Sequence, residues 1–332
     1  MKNIAVIGSG GWGLNIIRNF AELDKLAAVC DINKTNFEKL EKEYPGIVLT
    51  KNIKDIIKDK SIEGVVVVTP PATHFKLAKK LILAGKNVWV EKPVALKSRD
   101  AKKLWDLSLK KNKIAMAGHT LLYNPAYLRL KQLIDEGYFG DIYHIYCRRL
   151  GFGKVRKNEN VLWSLSVHDI AAVLYLTGTL PVEVSCIGAS YIQKGTEDII
   201  YANLKFEGEL TVNINSNWLN PYKERKLVLT GSEASAVIDE MNNENPLKIY
   251  NQKIIKLPVR DLKQEYFPMH KENAVNIDIN NCEMLREECR HFIDCIEKNT
   301  LPRTDAKSGY ETVKILERCT LSMKKKGRWV KN

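Results

Sequence analysis

The sequence predicts two domains of different fold class, a doubly wound α/β domain over residues 1–120 and an α+β domain over residues 121–332. Three observations lead to this prediction. Short β-rich runs alternate with helical patterns in the first part, which is typical of a parallel sheet covered by helices. Several longer strands then follow one another without helices between them, which is typical of an open, mostly antiparallel sheet. The chain ends in two helical segments, which could pack back on the first domain.

The elements of the first domain follow from the spacing of its apolar residues. Runs of β-branched and other apolar residues predict strands at residues 2–7, 26–30, 64–68, 87–90 and 114–117. Helical spacing predicts helices between them, at residues 12–23, 34–43, 73–84 and 99–111. Strands and helices therefore alternate, as in a parallel sheet with helical crossovers.

The second domain changes this order. It begins with a predicted helix at residues 125–136, a strand at 142–150 and a helix at 168–176. Strands at residues 182–189, 199–206, 210–217 and 226–229 follow without helices, which indicates antiparallel pairing. Helices are predicted at residues 283–298 and 306–326, and surface loops at 242–245 and 263–281.

The composition is that of an ordinary globular protein, with 45% hydrophobic and 27% charged residues and a net charge of +13. Lysines carry most of this charge but are spread over predicted helix faces, so we expect no nucleic-acid binding. No apolar run reaches the roughly 18 to 20 residues of a membrane span, and no signal peptide is recognised, so we expect a cytoplasmic protein. The seven cysteines form no CxxC pair, which predicts reduced thiols and no metal site.

Residues 8–13 read Gly-Ser-Gly-Gly-Trp-Gly and match the GxGxxG pattern of dinucleotide-binding Rossmann domains. The pattern follows a predicted strand and opens a predicted helix, so the helix N-terminus can face a pyrophosphate. The cofactor contacts predicted from this turn are Gly8, Gly10, Gly11, Trp12 and Gly13.

Asp31 follows Gly13 by 18 residues, at the end of the second predicted strand. A carboxylate at this place accepts hydrogen bonds from ribose hydroxyls and repels the 2′-phosphate of NADP. The predicted cofactor is therefore NAD, although the nearby Lys34 would soften the preference.

Two further polar segments follow predicted strands, Thr-Pro-Pro-Ala-Thr-His at residues 69–74 and Glu-Lys-Pro at residues 91–93. Ligands of parallel sheets bind at the carboxyl edge, to which both segments belong. His74 could also be only a polar residue of a first helical turn, and Lys92 only a solvated charge. The cofactor contacts predicted here are Thr69, Pro70, Pro71, His74, Glu91 and Lys92.

Together these segments resemble the Gfo/Idh/MocA oxidoreductase family, and the likeness continues through residues 118–119, 124–125, 140–142 and 168–170. The resemblance implies that Lys92 touches the reacting hydroxyl and that His168 serves as acid or base. It also implies that Glu91 helps to bind the ribose or nicotinamide end of NAD. The second domain would then bind substrate and build a homodimer or homotetramer through its sheet.

Residues 161–163, 166–170 and 217–221 look most like family members that oxidise C3 of UDP-N-acetylglucosamine or of its uronic acid. The resemblance thus implies a dehydrogenase acting on a nucleotide-sugar, whose negative charge a basic protein attracts. Arg148 and Arg149 alternate faces of a strand, so at most one of them can meet this substrate. The predicted substrate contacts are Lys92, Asn124, Tyr127, Arg148, Trp163, Ser164, His168 and Arg225.

One position departs from the family pattern. Many members carry Asp four residues before the catalytic histidine, where this sequence has Ser164. A serine cannot stabilise an imidazolium as a carboxylate can. The acid or base role of His168 would therefore depend on Lys92, on Asp169 or on the substrate.

Three other functions stay open. A dehydrogenase for inositol or a free sugar would share every cofactor motif, and a substrate panel would separate it. A non-catalytic dinucleotide-binding sensor would bind NAD without chemistry, and it would have no need for both Lys92 and His168. A reductase would run the same reaction toward the alcohol.

Overall fold

The computed structural model describes residues 2–259 and 265–332. Within these ranges the chain forms two compact units. The first contains the residues up to Tyr123 together with Cys282–Lys314, and the second contains Asn124–Asn281 and Ile315–Asn332. Each unit is therefore built from two separate stretches of the chain.

The first unit alternates strands and helices, as the sequence predicts. Its elements before residue 124 are β1 (Ile4–Ile7), α1 (Gly11–Glu22), β2 (Leu26–Cys30), α2 (Phe37–Glu43), β3 (Val48–Thr50), α3 (Ile53–Lys58), β4 (Gly64–Val67), α4 (Pro71–Leu83), β5 (Asn87–Glu91), α5 (Ser98–Lys111), β6 (Ala115–Gly118) and the short 3-10 helix Thr120–Tyr123. Among the described residues these strands form one parallel six-stranded sheet in the order β3-β2-β1-β4-β5-β6. The order confirms the predicted doubly wound fold.

The sequence pattern predicts neither β3 nor α3. β3 has three residues and α3 has six, and both are shorter than the window over which apolar periodicity can be recognised. β3 is also an edge strand with an exposed Val48, so it lacks the apolar run of a central strand. It extends the sheet beyond β2, the strand that Asp31 follows.

The rest of the chain supplies the second unit and the helix that returns to the first. Its elements are α6 (Pro125–Asp135), β7 (Ile142–Phe152), the π-helical segment Leu162–Ser166, α7 (Val167–Thr177), β8 (Glu183–Ala189), β9 (Ile199–Lys205), β10 (Thr211–Asn217), β11 (Leu219–Gly231), β12 (Ser235–Asp239), β13 (Leu247–Tyr250), β14 (Gln252–Ile254), β15 (Met269–Lys271), β16 (Val275–Ile277), α8 (Met284–Lys298), α9 (Ala306–Lys324) and β17 (Val330–Lys331).

The sheet of the second unit has nine strands among the described residues, in the order β16-β13-β12-β11-β7-β10-β9-β8-β17. β7 and β10 pair in parallel, and the other neighbouring strands pair antiparallel. The parallel pair is possible because α7, β8 and β9 separate the two strands along the chain. The prediction of a mostly antiparallel sheet is confirmed.

In the second unit β12, β13, β14 and β17 are not predicted by the sequence pattern, and two predicted segments have a different structure. β11 begins at Leu219, well before the predicted strand at 226–229, and its pairing with β7 is irregular between Leu219 and Glu224. That irregularity accommodates Pro221, which has no N–H for a regular ladder and gives the segment the look of a loop. The loop predicted at 263–281 instead contains β15 and β16, while residues 263 and 264 lie outside the described residues.

None of the helices in the described ranges is long and apolar enough to cross a lipid bilayer. The cysteines are free thiols, of which Cys282 is exposed and the others are buried. Burial raises the pKa of the Cys30 thiol to about 11, which leaves it protonated and unreactive. In the same ranges no three His, Cys, Asp or Glu side chains are grouped to hold a metal ion.

Helix α8 completes the core of the first unit. Its Phe292 contacts Trp89 of β5 edge-on, with ring centroids 5.9 Å apart. Phe20 of α1 contacts the same indole at 6.1 Å. All three rings are buried, so a segment from near the end of the chain stabilises the sheet formed by its beginning.

We predict that Phe292→Ala lowers the free energy of unfolding by about 3–5 kcal/mol, because it leaves a cavity against Trp89. Denaturant unfolding measures this change. Leu109→Ala, which removes a largely exposed side chain on α5, should change it by less than about 0.5 kcal/mol. Equal effects of the two substitutions would show that α8 is not part of this core.

Candidate active site

The glycine turn between β1 and α1 combines two tightly packed glycines with two open ones. Gly8 has a φ of +109°, and a Cβ on it would lie 2.7 Å from the Val68 carbonyl oxygen. A Cβ on Gly13 would lie 2.2 Å from the Gly8 carbonyl oxygen. Gly10 and Gly11 instead face open space, where a Cβ would meet no heavy atom within 4 Å. The turn thus leaves room beside the N-terminus of α1, which fits the pyrophosphate of a dinucleotide.

Asp31 follows β2 and is anchored by the same turn. Its Oδ2 accepts hydrogen bonds from the Ser9 amide at 2.6 Å and the Ser9 hydroxyl at 2.8 Å, and its Oδ1 accepts one from the Asn33 amide at 2.9 Å. Partial burial raises the pKa of Asp31, but these hydrogen bonds outweigh it and hold the pKa below its ordinary value. The carboxylate is therefore ionised and keeps acceptor capacity on Oδ1, which fits a ribose hydroxyl. The nearby Lys34 is exposed.

The segment 69–74 is tied to the segment 91–93 by one side chain. The His74 ring is buried, with Nδ1 2.8 Å from the Pro93 carbonyl oxygen and Nε2 2.6 Å from that of Thr69. The Thr69 and Thr73 hydroxyls lie 2.6 Å apart, and α4 begins with Pro71 after Pro70. His74 thus fixes the relative position of two loops at one sheet edge, and a contact between this segment and NAD stays a prediction.

Glu91 ends β5 and is buried beside β6, opposite Gly118. Its Oε2 accepts a hydrogen bond from the Lys92 amide at 3.3 Å. Burial raises the pKa of Glu91 to about 7, although the charge of Lys92 acts in the opposite direction. Lys92 itself is partly buried and precedes a cis peptide bond to Pro93. A titratable carboxyl and an amine therefore lie side by side at the carboxyl edge.

In the second unit, His168 is the second residue of α7, and a buried charge cluster holds this helix. Asp169 accepts hydrogen bonds from Arg149 Nε at 3.0 Å to each carboxylate oxygen. Arg149 also donates to Glu240 at 2.8 Å. Both carboxylate oxygens of Asp169 are thus engaged by Arg149, so Asp169 positions the start of α7. Ser164 is buried in the π-helical segment that precedes the helix.

The remaining predicted substrate contacts have structural partners within the second unit. Tyr127 donates its hydroxyl hydrogen to Glu240 at 2.9 Å, and Asn124 caps α6 by accepting from the Ala126 amide at 2.9 Å. The Trp163 indole donates to the Thr320 hydroxyl at 3.1 Å. These side chains shape the unit, and direct contacts with a substrate stay predictions.

The sheet separates the two predicted arginines. Arg225 lies directly across from Arg149 in the β7–β11 pair, and Lys226 lies across from Arg148. Directly opposed residues share a face, so Arg225 is on the Arg149 and α7 side while Arg148 is on the other. Arg148 instead packs on Tyr146 and pairs with Glu224 at 3.5 Å. Arg148 and Arg225 therefore cannot contact one substrate together, and the geometry favours Arg225.

Sequence reasoning missed Glu240 and Glu288, and it named His119 only as part of the family likeness and not as a site residue. Glu240 lies just after β12, a strand that the pattern does not predict. Glu288 reads as an ordinary charge on an amphipathic helix, yet it is fully buried. Only the place of Glu288 on the apolar side of α8, next to Cys289, could have indicated its burial.

Comparison with known protein families identifies the family of this chain. Residues 2–119 match the NAD-binding Rossmann-fold model of the Gfo/Idh/MocA oxidoreductases, and residues 127–237 match the C-terminal domain of the same family. The chain belongs to the Gfo/Idh/MocA oxidoreductase family. The family assignment makes the N-terminal sheet an NAD-binding domain and confirms the predicted cofactor.

Individual relatives within this family are distant. The chain is 25% identical over 283 residues to UDP-N-acetylglucosamine 3-dehydrogenase of Acidithiobacillus ferrooxidans, covering 83% of this chain and 86% of that enzyme. A solved structure of that enzyme superposes with a TM-score of 0.84 at 22% identity and covers 97% of each chain. The chain is also 24% identical over 312 residues to scyllo-inositol 2-dehydrogenase (NAD+) of Bacillus subtilis, covering 90% of this chain and 87% of that enzyme. The structural likeness establishes the shared fold.

The glycine turn provides a test that separates cofactor binding from folding. Gly10 has an ordinary φ of −69° and faces open space, so Gly10→Ala should leave the melting temperature unchanged. The same substitution should weaken NADH binding by about tenfold or more, because the new methyl group occupies the space for the pyrophosphate. Gly13→Ala should lower the melting temperature, because its Cβ overlaps the Gly8 carbonyl. NADH fluorescence titration and thermal unfolding measure both effects, and unchanged NADH affinity in Gly10→Ala would contradict the assignment of the turn.

The raised pKa of Glu91 predicts a pH-dependent cost to stability. Between its ordinary pKa of 4.5 and its folded value of about 7, the folded protein binds a proton more tightly than the unfolded chain does, so stability falls as the pH rises through this window. Glu91→Gln removes this cost and should raise the melting temperature relative to wild type more at pH 8 than at pH 5. Glu41→Gln, on the exposed face of α2, is the control without such a difference. An equal change at both pH values would place the titration elsewhere.

Proposed function

We propose that the protein is an NAD-dependent dehydrogenase that oxidises a secondary alcohol of a sugar, at C3 of a UDP-N-acetylhexosamine or of its uronic acid. The observation that carries this proposal is the Glu91-Lys92 pair at the carboxyl edge of an NAD-binding sheet, where an amine lies beside a buried carboxyl. Similarity to UDP-N-acetylglucosamine 3-dehydrogenase over most of both chains supports the choice of substrate. The net charge of +13 suits an anionic substrate.

NAD, when bound, accepts the hydride from the carbon that carries the hydroxyl. Gly10, Gly11 and the N-terminus of α1 would hold its pyrophosphate, and Asp31 a ribose hydroxyl. Lys92 would take the hydroxyl proton, and His168 is the second candidate acid or base. Lys92 is favoured as the proton acceptor because it follows β5 at the carboxyl edge of the NAD-binding sheet, where the positive charge of a bound nicotinamide would disfavour its ammonium form. Asp169, the carboxylate next to His168 in sequence, is instead engaged by Arg149.

We also propose that the protein is a homodimer or homotetramer built through the outer face of its nine-stranded sheet. Ile187 and Tyr201 are cross-strand partners in the β8–β9 pair, and both are about half exposed. Neighbouring apolar side chains on an open sheet face favour association. Light scattering tests this proposal, because Ile187→Glu with Tyr201→Glu should reduce the mass to that of the monomer. A wild-type protein that is monomeric would contradict it.

Inositol or free-sugar oxidation is the second candidate, since the chain is similar to scyllo-inositol 2-dehydrogenase over most of its length. The experiment that decides between the two is NADH formation with a panel of UDP-N-acetylglucosamine, its uronic acid, inositol and free hexoses. A 2-keto acid in parallel reactions detects NADH that stays bound and is reoxidised in place. Turnover with the UDP-sugars alone supports the proposal, turnover with inositol or a hexose supports the second candidate, and no turnover with tight NADH binding indicates a sensor.

We predict that Lys92→Ala lowers turnover by about 100-fold or more, as expected for loss of a positioned acid or base, while NADH binding changes little. Lys97→Ala, which removes an exposed lysine close in sequence, should leave turnover unchanged. Steady-state rates and NADH titration of the three proteins provide the comparison. A loss of less than about tenfold in Lys92→Ala would exclude Lys92 from proton transfer.

A further inference from the structure

Several side chains in the first unit, His119 among them, carry buried polar atoms that the described part of the protein leaves without a hydrogen-bond partner. Three of these atoms belong to buried side chains of β5 and α8. They are Trp89 Nε1, Glu91 Oε1 and Glu288 Oε1. Trp89 and Glu288 are fully buried, and Glu91 is more than nine-tenths buried. Folded proteins rarely leave buried polar atoms unsatisfied, and such atoms usually mark a bound water molecule or ligand. We call the space between these three side chains the acid pocket.

Gly118 shows how two of these atoms converge. Trp89 and Glu91 lie on the same face of β5, and Gly118 pairs with Glu91 on the neighbouring strand. A Cβ on Gly118 would lie 2.6 Å from Glu91 Oε1 and 2.8 Å from Trp89 Nε1. One atom is an acceptor and the other a donor, yet they do not bond to each other. A water molecule can serve both, because it donates and accepts.

Glu288 brings a second carboxyl group to the pocket from α8, because it lies one helical turn before Phe292, whose ring contacts Trp89. The Thr120 hydroxyl donates to its Oε2 at 2.6 Å, which leaves Oε1 for another partner. Burial, and then the charge of Glu91, raise the pKa of Glu288 well above its ordinary value. Burial thus favours the protonated Glu288 carboxyl, and its proton requires an acceptor. The ionised Glu91 carboxylate is the natural acceptor, reached through the pocket.

We propose that a buried water occupies the acid pocket and that Glu288, through this water, positions the Glu91 carboxylate for the cofactor. Glu288 is thus a positioning residue, 168 positions along the chain from the Thr120 that anchors it. The inference rests on the proposed role of Glu91 in cofactor binding and is independent of which alcohol is oxidised.

The charged and titratable neighbours of this pair come from every surrounding element. The charge of Lys92, just after β5, lowers the pKa of Glu91 against the effect of burial. Burial, and then the charge of Glu288, raise the pKa of Tyr123 in the 3-10 helix and of Cys289 in α8. Burial, and then the charge of Lys92, lower the pKa of His119 to about 4. His119, Tyr123 and Cys289 are therefore neutral near pH 7, so the pH response of this pocket belongs to Glu91.

The test compares Glu288→Gln with Glu288→Leu by the pH dependence of NADH affinity, measured by fluorescence. Gln keeps an N–H donor for the water and an acceptor for Thr120, so Glu288→Gln should bind NADH as wild type does at each pH. Leu has a similar volume but no donor, and loss of a hydrogen bond to a carboxylate favours its protonated form. For Glu288→Leu, the pH below which affinity falls should move up by about 0.5 to 1 unit, which is about a three- to tenfold loss near that pH.

Three results would overturn the inference or locate its failure. An unchanged pH dependence in Glu288→Leu, with only a lower melting temperature, would reduce Glu288 to a packing role. If Glu91→Gln binds NADH as wild type does, the proposed role of Glu91 fails first. If Glu91→Gln weakens binding and Glu288→Leu does not, only the present inference is wrong.

A crystal structure of the wild-type protein at high resolution gives a second test that does not depend on a variant folding. An ordered water within hydrogen-bond distance of Trp89 Nε1 and of Glu91 Oε1 or Glu288 Oε1 supports the proposal. A dry pocket, or a direct carboxyl–carboxyl hydrogen bond between the two glutamates, overturns it.

Discussion

Parallel pairing of the strands in the first unit is the constraint that creates the proposed NAD site. Each strand of a parallel sheet ends at the same edge, so whatever follows the strands is gathered there regardless of its distance along the chain. The glycine turn follows β1, Asp31 follows β2, residues 69–74 follow β4, and Glu91-Lys92 close β5. Hydrogen bonds from Ser9 to Asp31 and the contacts of the His74 ring nitrogens with the Thr69 and Pro93 carbonyl groups then fix these segments relative to one another.

Burial of polar groups at this edge lowers the stability of the folded protein, but it also shifts the pKa of Glu91 toward the range in which a group can exchange protons near neutral pH. The charged forms of Glu91 and His119 are better solvated in water than in the protein interior. Burial therefore raises the pKa of Glu91 and lowers the pKa of His119, and so favours the neutral form of each. Such shifts concentrate at functional sites because a group that titrates near neutral pH can exchange protons during a reaction. The apolar cluster of Trp89, Phe20 and Phe292 lies directly behind Glu91 on β5 and provides the compensating burial.

In the second unit, a buried charge cluster holds in place the helix α7, which carries His168. Arg149 lies between Asp169 and Glu240, and Tyr127 donates to the same Glu240. A buried guanidinium with two carboxylates is tolerated because nearly all its donors are used, and removal of one member would leave a charge unpaired. This cluster joins α6, α7, β7 and the end of β12, so its members are structural supports for residues proposed to meet the substrate.

Local patterns along the chain were sufficient to predict the features that depend on neighbouring residues. Apolar periodicity located β2 at Leu26–Cys30 and most other elements of the first unit, and glycine spacing with Asp31 indicated an NAD-binding domain. Features that depend on distant partners required the folded chain. The parallel pairing of β7 with β10, the place of β11 around Pro221, the capture of Asp169 by Arg149 and the burial of Glu288 beside Glu91 each join residues far apart in the chain. A one-dimensional pattern records which face of an element is apolar, but not which other element covers it.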